Sequence, residues 1–397
     1  MKTEIQHQDT HEWPLFRLGF RPFFLAATLL AMVGMMIWMA GLVFHVHLPL
    51  SVSPVYWHAH EMIYGYALAV IAGFLLTAVR NWTSIQTLHG WGLQLLLLLW
   101  VLARVSALLP GQQALLATVV LDNLFIVYLS VALTVPVVQA RLWKNMGVIS
   151  KLYFFLIGNV IYALGGFGLV ADGQRIGLMI GLYMVLSLIL VLSRRVMPMF
   201  IERGVGYTVT LKNHVWVDMA CFLLFLVFAV SDIFFAYPAW TAWLAAVLCL
   251  LHGIRLWGWY THGIWSRPLL WVLYLAYIWI ILGFALKFTV FVAGIPSSLA
   301  VHAFTVGGIG MMTLGMMSRI SLGHTGRDIM QPPSGVGWMF SLLCASVVLR
   351  VLLPLLSDGH YQLWIGLSQG FWIMAFALFL YRYAWMLATP RIDGRRG

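Results

Sequence analysis

Twelve stretches of this chain are each apolar over about the 20 residues that an α-helix needs to cross a hydrocarbon layer. They cover 23–44, 60–79, 91–109, 114–139, 152–171, 175–193, 215–236, 240–259, 268–293, 296–318, 335–356 and 361–387. Backbone amides have no water to bond inside a bilayer, so each stretch has to be helical. Several links between them are short and carry Pro or Gly, such as Pro110-Gly111, Tyr237-Pro238 and Gly294-Ile295-Pro296. Neither residue continues a helix easily, and a short link makes successive helices antiparallel neighbours. Only 9% of the 397 residues are charged, against about 25% in soluble domains. A water-soluble fold is thereby excluded. Disorder is excluded too, because 15% of the residues are aromatic.

The expectation is an all-α, polytopic membrane protein. A segment 1–22 precedes a single twelve-helix domain over 23–387, and a tail follows over 388–397. The charges set its orientation. The chain carries 23 Lys and Arg against 12 Asp and Glu. Nineteen of the 23, from Lys2 and Arg17 through Arg194 and Arg195 to Arg391 and Arg396, fall on one side of the alternating spans. Cytoplasmic loops collect such residues, so both termini are expected in the cytoplasm, with a multi-pass placement in a bacterial inner membrane. The +11 balance therefore reads as topology rather than nucleic-acid binding. The polar start, with no small-residue cleavage site after the first span, predicts no cleaved signal peptide. Cys221, Cys249 and Cys344 all fall in spans and form no CxxC pair, which argues against covalent haem attachment and a thiolate zinc site.

Ionisable groups at membrane depth are costly and mark candidate sites. Trp57-His58-Ala59-His60-Glu61-Met62 opens the second span. In a helix, residues two apart point about 200° from each other. His58 and His60 then serve different neighbours, unless an extended entry turn brings them together. Glu61 either complements the helix dipole or orients an imidazole. His302 begins His302-Ala303-Phe304-Thr305-Val306-Gly307 in the tenth span, entering from the same face as His60. His60/Gly65 and His302/Gly307 share a His-x4-Gly spacing. At that depth His60 and His302 are candidate cofactor ligands. His252, deeper in the eighth span, either ligates a cofactor or bonds a neighbouring helix. His324 sits in a polar segment, Ser318 to Arg327, that reads as a loop. His7 and His11 belong to the polar N-terminal tail and suggest no role. Three cations, Arg104, Lys287 and Arg350, lie inside spans at one depth. They either snorkel to the interface, with Asp122 available to Arg104, or neutralise anionic groups of a ligand. Met32, Met35, Met36 and Met39, and the methionines around Met312, read as packing rather than as Cu(I) ligands. Phosphate-loop, dinucleotide and Ser–His–Asp patterns are absent.

The blocks Phe20-Arg21-Pro22-Phe23-Phe24, His58-Ala59-His60-Glu61-Met62, Ala72 to Val79 with Asn81-Trp82-Thr83, Arg195-Val196-Met197-Pro198, His302 to Gly307 and Ser321-Leu322-Gly323-His324-Thr325-Gly326-Arg327 occur in this order. Together they resemble the NnrS family of bacterial membrane proteins. The resemblance implies association with haem, held non-covalently as b-type haem, and with copper. It also implies a role in nitric oxide metabolism or in tolerance of nitrosative stress, with an electron donor that the sequence does not name. It carries His58, His60, Glu61, His252, His302 and His324 over as ligand candidates. Tyr274 is a departure, since many relatives have His there. On this reading His60 and His302 hold haem, with His252 a further cofactor candidate and Arg104 and Arg350 facing propionates. His58, His60, Glu61, His302 and His324 are the metal-ligand candidates. The competing expectation is a twelve-helix secondary transporter of a metal, haem or small anion, with a polar cavity at mid-membrane.

Overall fold

The computed structural model describes residues 13–235, 237–356 and 358–395. The expectations for Lys2, His7, His11 and Arg396 lie outside the described residues. The chain folds into α1 (Phe20–Leu42), α2 (Pro54–Thr83), α3 (Gly90–Ser106), α4 (Gln112–Gln139), α5 (Trp143–Gly166) and α6 (Gly173–Gly204). Then follow α7 (Val215–Phe234), α8 (Ala239–Gly258), α9 (Pro268–Ala293), α10 (Ser297–His324), α11 (Val336–Leu356) and α12 (Tyr361–Ala388). Eleven of these are long and apolar enough to span a bilayer, and α3 is a shorter apolar helix. No strand occurs among the described residues. Each predicted span has its helix.

Burial sorts the helices into a centre and a rim. In α2, 89% of the most apolar window is buried, and in α6 and α10 72%, whereas the share falls to 39% in α1, α8, α11 and α12. The central helices meet one another, α6 packing against both α2 and α10. The rim helices turn Leu, Val, Phe and Trp side chains outward, as lipid-facing surfaces do. The ends of the chain close the bundle. Arg21, fully buried at the start of α1, donates from Nη1 to the carbonyls of Leu387 (2.8 Å) and Thr389 (2.6 Å) at the end of α12. A cation there also complements the negative end of the α12 dipole.

Small residues bring helices close where no hydrophobic drive operates between them. The tightest seam joins α5 to α6. A Cβ on Gly177 would lie 2.3 Å from the Gly158 carbonyl oxygen and 2.6 Å from the Tyr162 nitrogen, so backbone meets backbone there.

Four spans differ most from expectation in extent: α2 already starts at Pro54 rather than at 60, α5 covers Trp143–Gly166 rather than 152–171, and α6 and α10 run on at their C-terminal ends. α6 continues to Gly204, past Arg194 and Arg195, because a helix has no reason to stop where its apolar run leaves the lipid. The Ser318–His324 segment, expected as a loop, is the last part of α10; the chain turns only at Thr325-Gly326, where Gly326 has φ +79°. Ser318 and Thr325 hydroxyls bond carbonyls four residues back, which lets polar side chains ride on the helix.

Candidate functional site

Three helices carry a π-helical segment: Glu61–Ala67 in α2, Ala303–Gly310 in α10 and Val348–Leu352 in α11. One begins directly after His60, one directly after His302, and the third contains Arg350. Such segments widen the helix and are frequent at functional sites. The widening also explains the shared His-x4-Gly spacing. Gly65 makes room for Arg104, whose Nη1 would lie 2.8 Å from a Cβ at that position. Gly307 makes room for Trp279, at 2.6 Å from its Cβ. The Gly65 carbonyl accepts from Trp100 Nε1 at 3.0 Å.

α2 is helical from Pro54, without an extended entry turn, so His58 and His60 diverge. His60 is buried with Glu61, Arg104, Asp122 and Asn159. Its Nε2 faces Asn159 Oδ1 at 2.9 Å and its Nδ1 faces Glu61 Oε1 at 3.3 Å. Asn159 Nδ2 donates to Asn123 Oδ1 at 2.9 Å, which fixes the amide with its oxygen towards His60. Arg104 donates to Glu61 at 2.7 Å and forms a second ion pair with Asp122. The rings of Tyr64 and Tyr162 stack on His60 at 4.9 and 4.5 Å. Both ring nitrogens of His60 thus face acceptor oxygens. This is a closed, buried cluster of two carboxylates, a guanidinium and an imidazole.

His58 and His302 are arranged differently. The His58 ring lies on Trp38, 4.7 Å away and 8° from parallel, and its Nδ1 is buried without a hydrogen-bond partner. His302 Nδ1 donates to the Ser298 carbonyl at 2.7 Å, since a carbonyl can only accept. In the neutral ring the lone pair then sits on Nε2, the arrangement by which a second bond orients a metal-ligating histidine. His58, His302 and Arg350 lie within electrostatic reach of one another. Arg350 Nη1 is buried without a partner, while its guanidinium also meets Tyr361. Electrostatics therefore couples His58, His302 and Arg350, while hydrogen bonds separately join His60, Glu61 and Arg104.

The remaining candidates lie elsewhere. His252 is fully buried on α8, with Nδ1 2.8 Å from the Tyr277 hydroxyl, its ring parallel to Phe284 and its Nε2 unpartnered. His324 packs against Phe20 at the end of α10, and its carbonyl accepts from Arg391. Lys287 is paired with Asp232 at 2.8 Å, so the third buried cation is accounted for within the fold. Tyr274 donates to the Leu256 carbonyl at 3.2 Å and ties α9 to α8. Among the described residues, no three His, Cys, Asp or Glu side chains converge as a ready-made metal site.

Sequence reasoning anticipated Asp122 for Arg104 but missed Asn123, Asn159 and Asp232. Their signal was present: an amide or carboxylate inside an apolar span demands a partner.

No curated protein matches the chain. A family profile described as "NnrS protein" matches residues 14–391, nearly its full length. The chain belongs to the NnrS family.

Proposed function

We propose that this protein binds haem at the end of the bundle where α2, α10 and α11 bring His58, His302 and Arg350 together, and that it acts there on nitric oxide. The observation that carries this reading is the His302 ring, committed through Nδ1 to Ser298 and free to ligate through Nε2. Family membership supplies the link to nitric oxide. Haem, when bound, would supply an iron that takes nitric oxide as a ligand and changes oxidation state with an external electron donor. The chain's own residues prepare the place. Ser298 fixes the tautomer of His302. Trp38 holds the His58 ring flat beside an unpartnered buried nitrogen. Arg350 offers an unpaired guanidinium nitrogen to an anionic propionate. Arg104, the other propionate candidate, is already held by Glu61 and Asp122.

Copper fits less well. Glu61 is bound to Arg104, His60 faces two acceptors, and His58 with His302 offers two donors, so no step is assigned to copper. The transporter alternative calls for a polar cavity at mid-depth. The charged cavity of the molecule lies among α5, α6, α7 and α8, at the end that carries Lys144 and Arg194, and the space between α1, α2, α6 and α10 is a cavity of about 70 Å³, lined by apolar side chains apart from Ser193 and Thr313. Such a cavity suits a small uncharged gas better than an ion.

Absorption spectroscopy on protein purified after haem-replete expression tests the proposal. A Soret band is expected, weakened by His302→Ala and by His58→Ala, and shifted on addition of nitric oxide. A band that persists unchanged in both variants, or no band at all, refutes it.

A further inference from the structure

A second site lies among α5, α6, α7 and α8, outside the cluster of His58 and His302. A cavity of about 410 Å³ there is lined by Lys144, Lys151, Arg194 and Arg255, with Asp218 its sole carboxylate. Four cations face one anion, leaving +3. Asp218 is shared between Arg255, at 2.9 Å, and Arg194. Lys151 is buried, donates to the Gly147 carbonyl at 2.5 Å, and has no carboxylate partner. A buried cation without an anion is costly.

The deepest wall of the cavity repeats the same deficit. Arg255 Nη1 donates to the Tyr277 hydroxyl oxygen at 3.2 Å. The phenolic proton then goes to its acceptor, His252 Nδ1, at 2.8 Å. With the phenolic proton on that bond, a neutral His252 carries its own hydrogen on Nε2, a buried atom without a partner on a residue that lines the cavity. Arg255 Nε is also buried and unpartnered. Three groups (the Lys151 ammonium, Arg255 Nε–H and His252 Nε2–H) are donors short of acceptors. This tautomer is opposite to that of His302, with Nε2 as the donor.

We propose that this cavity binds the phosphate group of an acidic phospholipid. A phosphodiester offers several acceptor oxygens, a negative charge and no proton of its own, which complements each unsatisfied group. The lipid source follows from the outer lip, where Val215, Met219 and Phe222 of α7 line the opening and are exposed on the bilayer-facing surface. Basic pockets between membrane helices hold anionic headgroups in this way, with acyl chains lying along the apolar lip.

The test uses delipidated full-length protein in neutral detergent, titrated with phosphatidylglycerol, phosphatidylcholine or inorganic phosphate and read by thermal shift and native mass spectrometry. Phosphatidylglycerol is expected to bind and raise the unfolding temperature, with phosphatidylcholine and millimolar phosphate doing neither. The Lys144→Gln/Arg194→Gln double variant alters two exposed side chains, so folding should survive. It is expected to weaken phosphatidylglycerol binding about 30-fold, from roughly five-fold per cation. His252→Phe removes the Nε2 donor and should weaken binding further, with His252→Gln retaining part of it. Equal binding of the two lipids, or an unaltered affinity in the double variant, overturns the proposal. Saturation by inorganic phosphate with no added effect of phosphatidylglycerol overturns the lipid assignment.

Discussion

Replacing Arg104 by Met isolates the energetics of the cluster around His60. The guanidinium holds Glu61 at 2.7 Å and Asp122 in a second ion pair, all three groups being buried. Charge-assisted hydrogen bonds contribute about 1.5–3 kcal/mol each, and breaking a buried pair by removing one partner costs about 3–5 kcal/mol. The cluster loses one positive charge, with two carboxylates facing one imidazole. Arg104→Met should therefore destabilise the protein by about 3–5 kcal/mol. The double variant Arg104→Met/Asp122→Asn restores the original charge balance but leaves Glu61 short of one donor. About half the loss should be recovered, leaving about 1.5–3 kcal/mol. Denaturant titration of helical circular dichroism in mixed micelles, run on wild type, both single variants and the double, measures the coupling directly. A single-variant cost under about 1 kcal/mol, or a double variant no better than Arg104→Met, would refute the closed-cluster account.

Other consequences are simpler to check. Gly177→Ala places a methyl 2.3 Å from the Gly158 carbonyl oxygen, where only backbone can yield. A loss of about 1–3 kcal/mol is expected, and an unchanged unfolding midpoint would show that α5 and α6 separate easily. At the C-terminal end, Asp393 accepts from Arg391 Nε at 2.8 Å and Nη2 at 2.5 Å, which holds its carboxyl well below the usual carboxylate range. A depressed folded-state value contributes stability that is present above the unfolded value, near 3.9, and is lost as pH falls through the lower folded value. The contact of Ile392 with the Thr325 carbonyl should therefore survive acidification to about pH 4. Hydrogen exchange at the Ile392 amide follows this, and loss of protection between pH 6 and 5 would contradict it.

The number of helices, their positions and the concentration of cations at alternate links were all legible in the residues. A membrane span is a local property: about 20 apolar residues must satisfy their own backbone in lipid whatever lies beside them. The candidate histidines were legible for a similar reason, because an imidazole in an apolar span stands out by its cost. Their partners were not legible. His60 meets Asn159, 99 residues away, and Arg104 reaches Glu61 across 43. His58 and His60, two residues apart, part company because α2 is already helical at Pro54. Depth alone grouped His60 with His302, but depth carries no information about azimuth, and the packing of α2, α5 and α10 sets azimuth. The tertiary structure also decides which nitrogen carries the proton. The Ser298 carbonyl holds the His302 proton on Nδ1 and leaves the lone pair of a neutral ring on Nε2, while a Tyr277 hydroxyl proton given to His252 Nδ1 puts that ring's hydrogen on Nε2. Composition presents the two histidines alike; their neighbours give them opposite chemistry.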